Sequence, residues 1–141
     1  MSSISYFSEG VNFKIPQKKI INRWIKEIVS TEGLLLKHLN FIFCSDAYLL
    51  GINQQYLSHD FYTDIITFDT SDLPQTIEGE IFISIDRVKE NASSLNLDLY
   101  TEILRVMAHG VLHLMGYDDH GEDNQLIMRQ KEDSCLSLLS F

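Results

Sequence analysis

The sequence predicts a single α+β domain over residues 1–141, with a mixed sheet of about four strands flanked by helices and a metal site on one helix and its following turn. Three observations support this. A length of 141 residues suits one domain, and 45% hydrophobic with 22% charged residues suits a single sizeable core. Helical periodicity occurs early and again through the C-terminal third, while β-favouring runs occupy the middle.

Residues 4–14 hold one or two short strands around Gly10, with Phe7, Val11 and Phe13 as apolar positions. From Pro16 to Gly33 the spacing of Ile20, Ile21, Trp24, Ile25 and Ile28 predicts a helix with one buried face and a basic outer face. Residues 34–44 favour a strand, after which Ser45 or Asp46 caps a short helix toward Tyr56 that Gly51 weakens. The runs from Asp64 to Asp69 and from Glu80 to Ile85 suit two paired strands, separated by a polar segment with Pro74 and Gly79. Three helices follow, at Asp86 to Ala92, Leu99 to Met115 ending at Gly116, and Asp123 to Leu139. The helices are expected to cover one face of the sheet.

The net charge of −9 is unevenly distributed. Residues 1–43 carry six cations against three carboxylates, a net of +3, whereas the remainder carries −12. An acidic chain is a poor general ligand for phosphates, so any nucleic-acid surface has to be local and basic. Lys18, Lys19, Arg23 and Lys26 are where one exists; the alternative is a solvated helix face. Cys44 and Cys135 form no CxxC pair and read as reduced, buried thiols. No apolar run approaches the roughly 20 residues that span a bilayer, and the opening MSSISYFSEG has no leader pattern, so the expected location is cytoplasmic.

The most informative segment is HGVLHLMGYDDH at residues 109–120. His109 and His113 are four apart and project from one helix face, close enough to share an ion. Gly116 then ends the helix and turns the chain so that Asp119 or His120 returns toward that ion. Three neutral imidazoles with an open fourth position suit a catalytic Zn²⁺; structural zinc is usually closed by four protein ligands, often cysteines. Three imidazoles also accept other divalent transition metals, such as Ni²⁺, Co²⁺ or Cu²⁺. Zinc proteases with HExxH use the Glu after the first His as base; Gly110 stands there, which disfavours peptidase chemistry by that route. Gly110 leaves room for a bulky substrate or permits close helix packing, and both readings stand. Tyr117 either stacks on a base or orients the turn, and Thr63 and Asp64 line the cleft or cap a turn.

The same run strongly resembles the signature of the YbeY family of small metal-dependent endoribonucleases. The likeness extends to Asn53–Tyr56, Asp60 and Thr63–Phe68, to Gly79–Ile83, and to Met128–Glu132, in the family's order. The resemblance implies one zinc per chain held by His109, His113 and His120. It also implies single-strand-directed hydrolysis of RNA in ribosomal RNA maturation, including 16S 3′-end processing, and in ribosome quality control. Ribosomal RNA and the ribosome or its proteins are then the partners, and no membrane is involved. Three departures from the family pattern bear on this. The family's third His falls at Asp119, one residue before His120, so Asp119 is the alternative third ligand or a carboxylate holding an imidazole. Leu57 stands where many members have an arginine, leaving Arg87 and Arg105 as substitutes toward the substrate, together with Tyr117. Glu80 replaces a common Asp and keeps its charge. The base is a metal-bound hydroxide, Asp118, Asp119 or the RNA 2′-hydroxyl. Two other readings compete: a zinc-stabilised ribosome assembly factor acting through protein partners, and a metal-dependent hydrolase of another substrate.

Overall fold

The computed structural model describes residues 2–58 and 62–139; His59 and Asp60 lie outside the described residues. Four strands and five helices run in the order β1 (Ser3–Glu9), α1 (Lys18–Ser30), β2 (Leu35–Cys44), α2 (Asp46–Leu57), β3 (Ile65–Asp69), β4 (Thr76–Ser84), α3 (Ile85–Ser94), α4 (Leu99–Leu114) and α5 (Glu122–Ser137). The sheet order is β1-β2-β4-β3. Strands β1, β2 and β4 are parallel, and β3 joins the edge antiparallel to β4, so the sheet is mixed. The crossover helix α1 connects the parallel pair β1 and β2, as parallel pairing requires.

Period-2 alternation assigns the central strands to two cores. Leu39, Phe41 and Phe43 of β2 and Ile77, Ile81 and Ile83 of β4 face the main core with α1, α3, α4 and α5. Ile42, Cys44, Ile66 and Phe82 face the other side and meet Leu49 of α2. The helices therefore cover both faces, not one: the alternate side chains of β2 and β4 are also apolar and need cover, which α2 provides. Ser45 caps α2 by accepting from the Tyr48 amide at 3.1 Å, which offsets the low helix propensity of Gly51.

Two further differences from the sequence expectation have local causes. Residues 4–14 contain one strand, Ser3–Glu9, with the chain leaving the sheet after it. Strand β4 begins at Thr76, well before Glu80, and runs through Gly79. A Cβ at Gly79 would lie 2.5 Å from the Phe68 carbonyl oxygen, so the glycine marks close approach of β3 within a strand and not its boundary. No helix among the described residues is long and apolar enough to cross a membrane.

Candidate metal centre

Helix α4 carries the centre. Its apolar stripe, including Ile103, Met107, Val111 and Leu114, packs on the sheet, and this fixes the opposite, half-buried positions of His109 and His113. The helix sits close to the strands because residue 110 is glycine. A Cβ there would come 2.8 Å from Ile81 Cγ2 and 3.0 Å from Ile65 Cδ1. Close packing, and not room for substrate, is the role the structure shows for Gly110.

After Leu114 the chain reverses at Gly116, whose φ of 105° is strained for any side-chain-bearing residue. Asp118 stabilises the ensuing turn by accepting from the Asp119 amide at 2.7 Å and the His120 amide at 3.1 Å. The turn delivers Asp119: its Oδ2 lies 3.3 Å from His109 Nε2 and 3.4 Å from His113 Nε2. The two Nε2 atoms are 3.0 Å apart. His120 points elsewhere; its Nδ1 bonds Asp118 at 2.6 Å and its side chain is 90% exposed.

The donors fit a divalent ion. Tetrahedral donors at about 2.0–2.1 Å from Zn²⁺ are separated by about 3.3–3.4 Å, close to the observed triangle. His109 Nδ1 lies 2.6 Å from Glu132 Oε2. A carboxylate only accepts, so Nδ1 carries the proton and Nε2 presents its lone pair to the centre. Burial disfavours charge on Glu132, but hydrogen bonds from His109 and Arg105 outweigh it and hold the carboxyl below its usual range. Burial likewise opposes a charged His109, yet Glu132, with Asp119 and Asp64 nearby, lifts the imidazole above its ordinary value. The local field thus favours positive charge at the Nε2 triangle, where a metal ion competes with a proton.

A cavity of about 350 Å³ opens beside the three donors, lined from α2 by Asn53 and Leu57, from β3 and its approach by Thr63 to Thr67, and by His120. Asp64 borders it, and burial foremost, with Asp119 and Glu132 adding to it, pushes its carboxyl upward. Asp118 is held below its usual range by hydrogen bonds from His120, which makes it a poor proton acceptor. No lysine or arginine lines this cavity among the described residues.

The other sequence candidates have partners of their own. Arg87 pairs with Asp46 at 2.7 Å and with Glu90 at 3.5 Å, and stacks over Tyr62. Arg105 bonds Glu132 at 2.9 Å and Asp133 at 2.6 Å, so it reaches the centre through Glu132. Tyr117 donates its hydroxyl to Glu32 and sits under Lys131, away from the cavity, in the turn-orienting position. Glu132 itself is the residue sequence reasoning missed. Its signal was present: Met128, Glu132 and Cys135 follow the i, i+4, i+7 spacing of the face α5 buries, and a carboxylate on a buried face needs a cationic partner. Trp24 Nε1 donates to the Cys135 carbonyl at 2.7 Å and anchors this end of α5.

A family model described as endoribonuclease YbeY matches residues 5–140. The chain is 48% identical over 139 residues to the endoribonuclease YbeY of Cytophaga hutchinsonii, covering 99% of this chain and 97% of that one. It is 48% identical over 131 residues to the protein of the same name from Amoebophilus asiaticus, covering 93% and 89%. A solution structure of a Thermotoga maritima protein matches with a TM-score of 0.61 at 30% identity, covering 94% of this chain and 87% of that one. With the fold, the histidine helix and the turn in place, these matches show that the chain belongs to the endoribonuclease YbeY family.

Proposed function

We propose that this protein is a metal-dependent endoribonuclease acting on single-stranded RNA in ribosomal RNA maturation and ribosome quality control, in the cytoplasm, with zinc as its metal. The observation that carries the proposal is the triangle of His109, His113 and Asp119 donor atoms beside an open cavity, in a chain of this family. These three residues would hold the ion, with His120 at the rim. When bound, the ion supplies Lewis-acid polarisation of a phosphodiester oxygen.

The protein's own groups do the remaining work. Glu132 fixes the ring orientation and tautomer of His109, and Arg105 holds Glu132. Asp64 is the cavity carboxylate left free of the donor set, and its upward shift suits it to take a proton from the attacking hydroxyl, from water or the 2′-oxygen. Leu57 and Ile65 present apolar surface to the substrate, and Asn53 a polar group.

The test is cleavage of a single-stranded ribosomal RNA fragment with metal content recorded on the same samples. The parent is expected to cleave and to hold about one zinc per chain, the stoichiometry of a three-donor open site. His113→Ala and Asp119→Ala lose both properties, whereas His120→Ala keeps its metal. Equal cleavage by parent and His113→Ala would refute the proposal, as would a folded, zinc-loaded parent that cleaves nothing. Loss of metal in His120→Ala alone, with Asp119→Ala intact, would transfer the third position to His120.

A further inference from the structure

The catalytic cavity poses a problem of charge. It is lined by no lysine or arginine among the described residues; Arg105 is engaged with Glu132 and Asp133, and exposed Arg129 lies on the other side of the donors, beside His109, Asp119 and Glu132. A polyanionic strand longer than the scissile unit needs more cations than Arg129 alone.

They are on α1 and the segment before it. Lys14, Lys18, Lys19, Arg23 and Lys26 are all exposed, and none has an ion-pair partner among the described residues; of the other cations Lys37, Arg87, Arg105 and Lys131 are paired, while Lys89 and Arg129 stand singly on α3 and α5. On α1 the spacing 19, 23 and 26 places Lys19, Arg23 and Lys26 in one stripe opposite the buried Ile21, Trp24, Ile25 and Ile28, with Lys18 at its N-terminal end. Glu27 is the single carboxylate of that helix. At the head of the stripe lies a second cavity, of about 290 Å³, with Lys14 and Lys18 beside Tyr6, Phe13 and Phe43. Its rings are already ordered: Tyr6 stacks parallel to Phe43, Phe13 meets Phe43 edge-on, and Lys18 lies 5.7 Å from the centre of the Tyr6 ring.

Sheet register relates the two cavities. Ser8 pairs with Phe43, Phe43 with Ile83, and Ile83 with Ile65. Ser8, which lines the aromatic cavity, and Ile65, which lines the metal-side cavity, therefore lie at the same level of the sheet, three strand spacings or about 14 Å apart.

We propose that the α1 stripe and its aromatic cavity form a second RNA-binding surface, which takes a base of a single-stranded RNA against the rings and its phosphates on the cations while another part of the strand occupies the metal-side cavity. Flat rings beside unpaired cations match the stacking and backbone recognition of single-stranded RNA. This inference rests on the endoribonuclease reading and adds a site to it.

The experiment uses the full metal-loaded chain and a labelled single-stranded RNA of about twelve nucleotides with 2′-O-methyl sugars, followed by fluorescence anisotropy over a range of salt. Cleavage of an unmodified trinucleotide is measured in parallel. Reversing Lys18, Lys19 and Arg23 together to glutamate is expected to lower the slope of log affinity against log salt by about 2, at about 0.7 per phosphate contact. Phe13→Leu is expected to weaken binding about tenfold with the slope unchanged. The reversed cations are on exposed positions and leucine keeps an apolar side chain at 13, so trinucleotide cleavage should match the parent. A parent-like slope in the triple variant overturns this inference while leaving the nuclease reading intact; in that case the stripe serves another anionic partner, such as an acidic protein. A parent that neither binds the RNA nor cleaves the trinucleotide overturns both.

Discussion

Replacing Glu132 by glutamine changes no shape and removes one charge, so it isolates what that charge does. The Glu132 side chain is 8% exposed and accepts from Arg105 Nη1 at 2.9 Å and from His109 Nδ1 at 2.6 Å. A hydrogen bond to a charged group contributes about 1.5–3 kcal/mol. Glutamine offers one acceptor and sets its amide hydrogens against the other donor, while Asp133 still holds Arg105 at 2.6 Å. The expected destabilisation is about 2–3 kcal/mol, read as a lower urea midpoint at unchanged slope. Zinc affinity, measured by competition with a chelator, should fall about 10- to 100-fold because Nδ1 no longer has a carboxylate to fix the tautomer. In the metal-free protein the pair has a defined pH window. The lowered Glu132 carboxyl contributes stability above its ordinary 4.5 that is lost as pH falls. The raised His109 contributes stability below its ordinary 6.5 that is lost as pH rises through its folded value. The difference between parent and variant should therefore be largest between those two values. A folded variant with parent-like zinc affinity would refute the argument that Glu132 orients the ligand.

Gly110→Ala would place a methyl carbon 2.8 Å from Ile81 Cγ2 and 3.0 Å from Ile65 Cδ1. Overpacking costs about 1–3 kcal/mol and helix propensity returns about 1, so a net loss near 1 kcal/mol is expected. Calorimetry should show this as a Tm about 3 °C lower, and an equal or higher Tm would show that α4 does not pack as described. Asp64→Asn addresses a carboxyl pushed upward chiefly by burial. A folded pKa above the unfolded one means that stability falls as pH rises between them, so the variant in chelator should melt higher than the parent at pH 7 and lose that advantage below the ordinary 3.8. Its RNA cleavage should drop sharply with zinc retained; parent-like cleavage would remove Asp64 from proton transfer.

Much of the architecture was legible locally. The period-3.6 pattern of Ile21, Trp24, Ile25 and Ile28 defines α1, and the pair His109 and His113 followed by Gly116 defines a donor helix with a reversal after it, because both depend on backbone geometry alone. Gly79 and Gly110 were ambiguous for the opposite reason. A glycine's sequence context does not say what approaches it, and here Phe68, Ile65 and Ile81 do. The second helical layer was missed because α2 reads weakly by itself and is secured by the apolar back face of β2 and β4.

By itself, the sequence determined the element order, the donor residue types and the split between a basic N-terminal segment and an acidic remainder. Which of Asp119 and His120 lies beside the imidazoles depended on the direction of a turn closed by Asp118. That Glu132 meets His109, and that Arg105 is spent on Glu132, depended on how α5 docks on α4. These are contacts across 23 and 27 residues of chain, and tertiary packing alone brings such distant groups within hydrogen-bond range.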